Sequence, residues 1–396
     1  MNAESAELAA DSGAVRGALY ALIVCQIGLH ACVQGARLAV PLSVLKMGYD
    51  AWSVGVVMMM FAIIPALLAI PAGRLADRRG YHFPVRIAAA LSLSGAVVGA
   101  LVPSFPALCI AAALCGAGAG FGMIVIQRTA GRFARNDADG LRVFSWIALA
   151  PALAGLLGPL LAGALIDHFG FRIAFAGLAV LPLISILVTR AVPHEAPVTV
   201  DASVRKTQSL SQILKTPGFA RLLFINWLVS ASWDVHGFAL PVLGVERGLS
   251  ASTLGVVLAA YAVASMAVRL AIPFIAEHLP RRHLLPGALA LTCLVFVLYP
   301  LLHSAWAMAG CAAVLGIALG TIQPAILTTL HKITPRRHHG EALALRSMSV
   351  HLSMMGMPLI FGLIGASVGA AALFWVMAVS LGIGSLEARR LAEKSE

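Results

Sequence analysis

The chain has 396 residues, of which 60% are hydrophobic and only 11% are charged. Soluble domains carry about 25% charged residues, so this composition excludes an ordinary soluble enzyme or binding domain. The formal net charge is +11, but no polar stretch is long enough to form an aqueous domain that would present a basic surface to nucleic acid. Instead, apolar stretches of about twenty residues recur, and each can cross the ~30 Å hydrocarbon core of a membrane.

The apolar stretches predict twelve transmembrane helices and therefore an all-α membrane protein. Residues 1–16 contain acidic residues and no basic n-region, so they do not predict a cleaved signal peptide. The predicted spans cover 17–41, 52–72, 84–103, 106–127, 142–165, 172–192, 219–242, 251–273, 284–302, 306–328, 342–364 and 369–388.

The placement of basic residues predicts the topology. If both termini are cytoplasmic, the cytoplasmic loops contain most of the loop arginines and lysines, and the opposite side contains only Lys46, Arg172 and Arg247. This asymmetry follows the positive-inside rule. We therefore expect a multi-pass protein of the cytoplasmic (inner) membrane with both termini in the cytoplasm.

The two halves of the chain repeat with an offset of 200 residues. The matched positions include Pro41 and Pro241, Gly48 and Gly248, Gly55 and Gly255, Gly116 and Gly316, and Gly120 and Gly320. A shared offset in several separate regions predicts an internal duplication. We expect two six-helix halves, 1–192 and 217–396, joined by a polar cytoplasmic linker at 193–216.

A charged stretch with two glycines follows the second span. It reads Gly73-x-Leu75-Ala76-Asp77-Arg78-x-Gly80 and resembles the cytoplasmic signature of the major facilitator superfamily. The resemblance implies the twelve-helix fold of that family and a contact between the halves on the cytoplasmic side, which we call the latch. The glycines allow a tight turn and close helix approach. The alternative is that these charges only set the topology.

A second pattern lies in the fifth span and consists of Gly155, Gly158, Pro159 and Gly163. It resembles the signature of proton-driven exporters in the same superfamily. The alternative is a face of small residues that serves helix packing alone. One departure counts against a standard drug–proton antiporter, because Ala112 stands four residues before Gly116, where such proteins usually carry an arginine.

Two symmetry-related helices carry polar faces. The first span contains Gln26, His30, Gln34 and Arg37 at spacings of 4, 4 and 3, and the seventh contains Asn226, Ser230 and Asp234 at spacings of 4. Each set therefore shares one helical face. In this fold, substrate sites lie near the membrane midplane between the halves, so we expect these residues to line a substrate and proton cavity. Further candidates on the tenth and eleventh spans are Gln323, Arg346 and His351.

Asp234 is the only acidic residue in the interior of any predicted span. A carboxylate at that depth is costly unless it has a function or a partner, and it can carry a proton. His30 is a second candidate for proton carriage, because histidine titrates near physiological pH. The alternative role of Asp234 is a structural pair with Arg37 or His30.

Other chemistries find no support in the sequence. The six cysteines lie within predicted spans without a CxxC pair, so we predict no disulfide framework and no thiolate metal site. His331, His338, His339 and Glu341 form the alternative metal cluster, but their loop is already basic and their spacing matches no known ligand set, so we predict no metal there. We find neither a Walker loop nor a nucleophile elbow, so we expect no enzyme and no cofactor.

We predict a monomeric secondary transporter in the lipid bilayer that moves a small-molecule solute by alternating access, with proton-coupled efflux. The alternatives are a proton-coupled importer and a non-transporting membrane sensor.

Overall fold

The computed structural model describes residues 3–132, 137–194, 218–275, 281–334 and 339–393, and all regular secondary structure in these ranges is helical. One helical run, Asp137–Val188, is broken at Gly170, where φ is 81° and ψ is 175°. We therefore call its two parts α5 (137–169) and α6 (171–188). The other long helices are α1 (Ala3–Lys46), α2 (Ala51–Arg79), α3 (His82–Leu101), α4 (Phe105–Arg132), α7 (Phe219–Glu246), α8 (Ala251–Ile275), α9 (Arg281–Leu298), α10 (Ala305–Ile333), α11 (His339–Val368) and α12 (Ala370–Glu393).

The helices confirm the predicted all-α membrane fold. Eleven helical stretches of the described chain are long and apolar enough to cross a membrane, and one of them, Leu149–Ala191, contains the break at Gly170 and so holds two predicted spans. The main difference is at the start of α1, which begins at Ala3 rather than near residue 17. Residues 3–16 are rich in alanine and glutamate, which favour helix strongly, so hydropathy alone underestimates the length of this helix.

The 200-residue offset recurs in the way helices end. Gly48 follows α1 with φ of 85°, and Gly248 follows α7 with φ of 67°. Both glycines adopt a left-handed conformation that costs little only without a Cβ atom, and each ends its helix. A second pair, Gly170 and Gly369, lies one position off this register and also has positive φ, at 81° and 87°. Gly170 separates α5 from α6, and Gly369 separates α11 from α12.

The offset also recurs in helix packing. A Cβ atom at Gly116 on α4 would overlap the carbonyl oxygen of Phe61 on α2, and a Cβ atom at Gly316 on α10 would overlap that of Tyr261 on α8. Phe61 and Tyr261 are themselves 200 residues apart. Within each helix pair, α2 with α4 and α8 with α10, the two backbones therefore touch at an equivalent glycine. Only the absence of a side chain at that position allows this contact.

The helices group into two compact units. One contains Met1–Val40 and Met60–Ala202, and the other contains Pro41–Met59 and Ser203–Glu396. The boundary thus crosses α1 and α2, which the sequence places entirely in the half 1–192. Within the second unit, the first part of α2 packs closely on α11, since a Cβ atom at Gly55 would lie 2.5 Å from the carbonyl oxygen of Pro358 and one at Gly362 would lie 3.0 Å from that of Ala51.

Candidate functional site

The polar face of α7 is largely buried within the second unit. Asn226 and Asp234 are only 2% and 7% exposed, and Ser230 between them is half-buried. All three lie in one uninterrupted helix, so their spacing of four keeps them on a single face, as the sequence predicts. Polar groups at this depth require hydrogen-bond partners, because an unpaired one costs free energy.

The part of this face nearer the start of α7 is joined to α11 by Arg346. The Nε atom of Arg346 donates a hydrogen bond to Oδ1 of Asn226 across 3.0 Å. A guanidinium group only donates, so this contact fixes the orientation of the Asn226 amide. Its Nδ2 atom then points elsewhere, and it is buried with no hydrogen-bond partner among the residues that the structure describes.

The part of the face nearer the middle of α7 is joined to the same helix by Ser353. Its hydroxyl donates to Oδ2 of Asp234 across 3.2 Å, and Ser353 is fully buried. Together, Asn226–Arg346 and Asp234–Ser353 form two polar contacts between α7 and α11, which we call the α7–α11 ladder. Sequence reasoning missed Ser353, although it lies seven residues after Arg346, and two helical turns return to the same face.

The polar face of α1 lies in the first unit. Gln26 is fully buried, and neither its Oε1 nor its Nε2 atom has a hydrogen-bond partner within the described chain. His30 is half-buried, as is Gln34. The guanidinium group of Arg37 lies over the ring of Phe61, 5.7 Å from its centroid, which is within the range of a cation–π contact.

The glycine pattern of the fifth span lies on α5, close to this face. A Cβ atom at Gly158 would lie 2.5 Å from the carbonyl oxygen of Ala31 and 3.0 Å from Cβ of Gln34. Gly158 therefore allows α5 and α1 to pack backbone to backbone. The other members of the pattern are Gly155, which is half-buried, and Pro159 and Gly163, which are buried.

The predicted latch motif lies at the end of α2. Gly80 has φ of 67° and follows the last helical residue, so it makes the turn. Gly73 lies inside α2, and a Cβ atom there would meet nothing within 4 Å among the described atoms. Leu75 is half-buried and Arg78 is exposed. The side chain of Asp77 lies outside the described part of the structure, as do those of Gln323 on α10 and His351 on α11.

His236, to which the sequence assigns no role, belongs to an aromatic cluster. Its Nε2 atom lies 3.4 Å from the hydroxyl of Tyr299, its ring centroid lies 5.1 Å from that of Tyr261, and Tyr261 in turn contacts Trp233 edge to face at 5.2 Å. His236 follows Asp234 by two residues, which places it on another side of α7. It therefore packs α7 on α8 and on the short helical turn Tyr299–Leu301.

Arg247, at the end of α7, holds the same turn in place. Its guanidinium group donates hydrogen bonds to the carbonyl oxygens of Pro300 and Leu302. From the sequence, Arg247 is predicted only to be one of the few basic residues on the side of the membrane opposite the cytoplasm. Its structural role was not predictable, because the carbonyl groups that it binds lie more than fifty positions later in the chain.

Comparisons with known proteins agree with this architecture. The family model of the Major Facilitator Superfamily matches residues 22–230 and again 222–393. The multidrug resistance protein MdtG of Dickeya zeae (strain Ech586) is 28% identical over 345 residues, which cover 84% of this chain and 83% of that protein.

Among solved structures, a POT family transporter in complex with a thioalcohol-conjugated peptide aligns with a TM-score of 0.78 at 13% identity, covering 95% of this chain and 96% of that one. A bacterial homologue of the human lysosomal transporter Spinster aligns with a TM-score of 0.73 at 16% identity, covering 97% and 98%. At these identities the structures establish the fold alone. The two family matches span nearly the whole chain, and the chain belongs to the Major Facilitator Superfamily, a family of membrane transporters rather than enzymes.

Proposed function

We propose that this transporter is a proton-coupled exporter of a small organic solute, and that Asp234 carries the coupling proton. We also propose that it works as a monomer in the cytoplasmic membrane with both termini inside, as the distribution of basic residues predicts. The observation that carries the proposal is the burial of Asp234 on the polar face of α7, where the residue is 7% exposed.

The contact with Ser353 suits a carboxyl group that changes its protonation state. A hydroxyl group can both donate and accept a hydrogen bond. The hydroxyl of Ser353 donates to Oδ2 of Asp234, which is the contact that an ionised carboxylate needs, and after rotation the same hydroxyl accepts from a protonated acid. The contact therefore satisfies both forms, so neither is left unpaired in the membrane interior.

Two features support export. The pattern from Gly155 to Gly163 resembles that of proton-driven exporters, and the relative MdtG is described as a multidrug resistance protein. Gly158 also packs α5 on α1 beside Gln34, so the pattern has a packing role in either direction of transport. An importer shares every other feature, and a sensor that does not transport has less need of polar faces on both α1 and α7.

The proposal is tested by proton flux in inside-out membrane vesicles. We expect that compounds from a panel of drugs and metabolites will dissipate an imposed pH gradient, as a pH-sensitive dye reports, and will accumulate in the vesicles. Accumulation in right-side-out vesicles instead would support the importer. No compound-dependent proton flux and no accumulation would support the sensor.

The role of Asp234 is tested by Asp234→Asn in the same vesicles. We expect solute binding to persist in part while transport loses its dependence on the pH gradient, since an amide cannot release a proton. Glu246→Gln is the matched control, because this acid lies exposed at the end of the same helix. If Asp234→Asn instead lowers the melting temperature and the residual transport still follows the gradient, the structural alternative is supported. Full gradient-driven transport by a normally stable variant would refute both roles.

A further inference from the structure

We propose that His82 and His194 form a pH-sensitive clasp, which holds the start of the linker against the turn before α3 and releases it when the adjoining solution becomes acidic. The distribution of basic residues predicts that both histidines lie on the cytoplasmic side, so the clasp responds to cytoplasmic pH. The inference goes beyond the proposed function and depends neither on the solute nor on the direction of transport.

The clasp joins two segments that are far apart in the sequence. His82 is the first residue of α3, two positions after Gly80 of the latch motif, and His194 lies shortly after the helical turn Thr189–Ala191 that follows α6. Their imidazole rings stack with their centroids 3.9 Å apart and their planes inclined by 14°. Because the predicted linker begins at residue 193, the stack fastens it where it leaves the first half.

The backbone on both sides of the stack is held by one apolar cluster. Tyr81 and Val192 are both buried and both belong to the same hydrophobic core of the first unit. The ring of Tyr81 also contacts that of His82 edge to face, with the centroids 5.4 Å apart. The two histidine rings therefore meet because their chain neighbours are anchored together, whatever charge the rings carry.

The stack accommodates neutral rings better than two charged ones. His82 is 8% exposed, and its Nε2 atom has no hydrogen-bond partner among the described residues. A neutral ring carries one proton, which we place on Nδ1, so a second proton would occupy Nε2 without an acceptor. His194 is exposed and can take up its proton from water. Two positive rings at the observed separation then repel each other, and the burial of His82 reduces the screening of that repulsion.

The other groups near His82 do not compensate a positive charge on its ring. In the described part of the chain, the groups whose charge acts on it are His194 and Arg86, and Arg86 lies one turn further along α3. Both are cationic when charged. The ring also faces the backbone of Thr189 and Val192, and the single N–H group of a neutral imidazole is enough for a contact with a carbonyl oxygen.

The size of the pH effect follows from proton uptake. In the released state each ring can bind a proton near the ordinary histidine pKa of about 6.5, whereas the stacked pair holds at most one. The stabilisation by the stack is therefore present above this pKa and is lost as the pH falls below it. From about pH 7.5 to about pH 5.5, the ratio of released to stacked molecules should rise about five- to tenfold.

The test measures hydrogen–deuterium exchange of the full chain in detergent, read by mass spectrometry in peptides that contain Val192 and His194. The backbone N–H of Val192 donates to the carbonyl oxygen of Thr189 across 3.1 Å, so it exchanges when this turn opens. The rates are divided by those of a synthetic peptide of the same sequence, which removes the pH dependence of the exchange chemistry. We expect the protection of this segment to fall about five- to tenfold between the two pH values.

Variants assign the pH response to the two rings. His194→Phe and His82→Phe each keep an aromatic ring in the stack but remove its proton, so we expect nearly equal protection at both pH values. His168→Phe is the matched control, because it removes an exposed histidine at the end of α5 and should respond as the wild type does. If His82→Phe disturbs the packing and lowers protection at both pH values, the exposed position of His194→Phe decides the question.

The inference is overturned if the protection of the wild-type segment is the same at both pH values, or if His194→Phe loses protection in acid as the wild type does. The first result would show that the stack tolerates two protons, and the second that another group responds to the pH. Neither result bears on proton-coupled export, because the measurement contains no gradient and no solute.

Discussion

At the scale of single residues, the duplicated chain uses different side chains for the same purpose. Asp50 precedes α2, and its Oδ1 atom accepts hydrogen bonds from the backbone N–H of Ser53 at 3.0 Å and from its hydroxyl at 2.8 Å. Ser250 precedes α8, and its hydroxyl accepts from the backbone N–H of Thr253 at 3.2 Å. Both residues cap a helix N-terminus, where otherwise unpaired N–H groups need an acceptor.

The two caps should respond differently to pH. The N–H and hydroxyl groups of Ser53 hold the pKa of Asp50 below its usual value. A lowered pKa in the folded state means that the stabilisation is present above the unfolded pKa of about 3.9 and is lost as the pH falls through the folded pKa. Ser250 does not titrate in this range, so its cap is independent of pH.

We therefore expect Asp50→Ala to reduce the stability by about 1 kcal/mol at neutral pH and by clearly less near pH 3, where the wild-type carboxyl group is becoming protonated. Ser250→Ala is the matched control and should have the same effect at both pH values. Thermal melting of the wild type and both variants at the two pH values measures this. An equal loss for Asp50→Ala at both would show that the charge of Asp50 does not contribute.

At the scale of helices, close packing depends on glycines at equivalent positions of the repeat. The sequence predicts the pair Gly116 and Gly316, because identical residues recur at the offset of 200. It does not show what each glycine contacts. The structure supplies that information, since their partners Phe61 and Tyr261 are also equivalent but differ in type, and a backbone contact places no demand on the side chain.

We expect Gly116→Ala to destabilise the protein by about 1–3 kcal/mol, the usual cost of overpacking, because the new methyl group would overlap the carbonyl oxygen of Phe61. Gly310→Ala is the control. Gly310 is also a glycine inside a long helix, α10, the helix that contains Gly316. A Cβ atom at Gly310 meets nothing within 4 Å among the described atoms, and replacing a helical glycine that has space raises stability by about 0.4–1 kcal/mol.

Thermal melting and the yield of monodisperse protein in detergent distinguish the two variants. Comparable melting temperatures would mean that α2 and α4 can move apart without cost, and that the glycine contact does not hold them together. The same measurement on Gly316→Ala tests whether the equivalent contact between α8 and α10 contributes as much to the stability as the contact between α2 and α4.

At the scale of the whole molecule, the sequence predicts what depends on hydropathy and on local spacing. The helices, the break between the fifth and sixth spans near Gly170, and the polar face with Asn226 and Asp234 all follow from such patterns. Contacts between distant segments were not predictable, because a single sequence contains no information on which helix faces which. The bond from Arg346 to Asn226, the role of Ser353 and the packing of His236 belong to this group.

The latch is also a prediction about the whole molecule. It concerns the equilibrium between the state of the transporter that is open to the cytoplasm and the state that is open to the opposite side. The turn at Gly80 and the exposed Arg78 are consistent with a charged cluster at this end of α2, which the positive-inside rule predicts to be cytoplasmic. If Asp77 helps to hold the cytoplasmic side closed, its neutralisation should favour the state that opens to the cytoplasm. A charged hydrogen bond contributes about 1.5–3 kcal/mol, which corresponds to a shift of about tenfold or more in the ratio of states.

The measurement is the labelling of a single cysteine at Ser230→Cys by an impermeant maleimide, added to either side of oriented vesicles in a background without other cysteines. Asp77→Asn should increase labelling from the cytoplasmic side and decrease it from the opposite side. Asp50→Asn is the matched control, because it removes an equal charge at the other end of α2 and keeps a side-chain oxygen to cap the helix. Unchanged labelling from both sides, together with unchanged transport, would show that the charges of this segment only set the topology, whereas a shift confined to Asp77→Asn would assign the latch to that carboxylate.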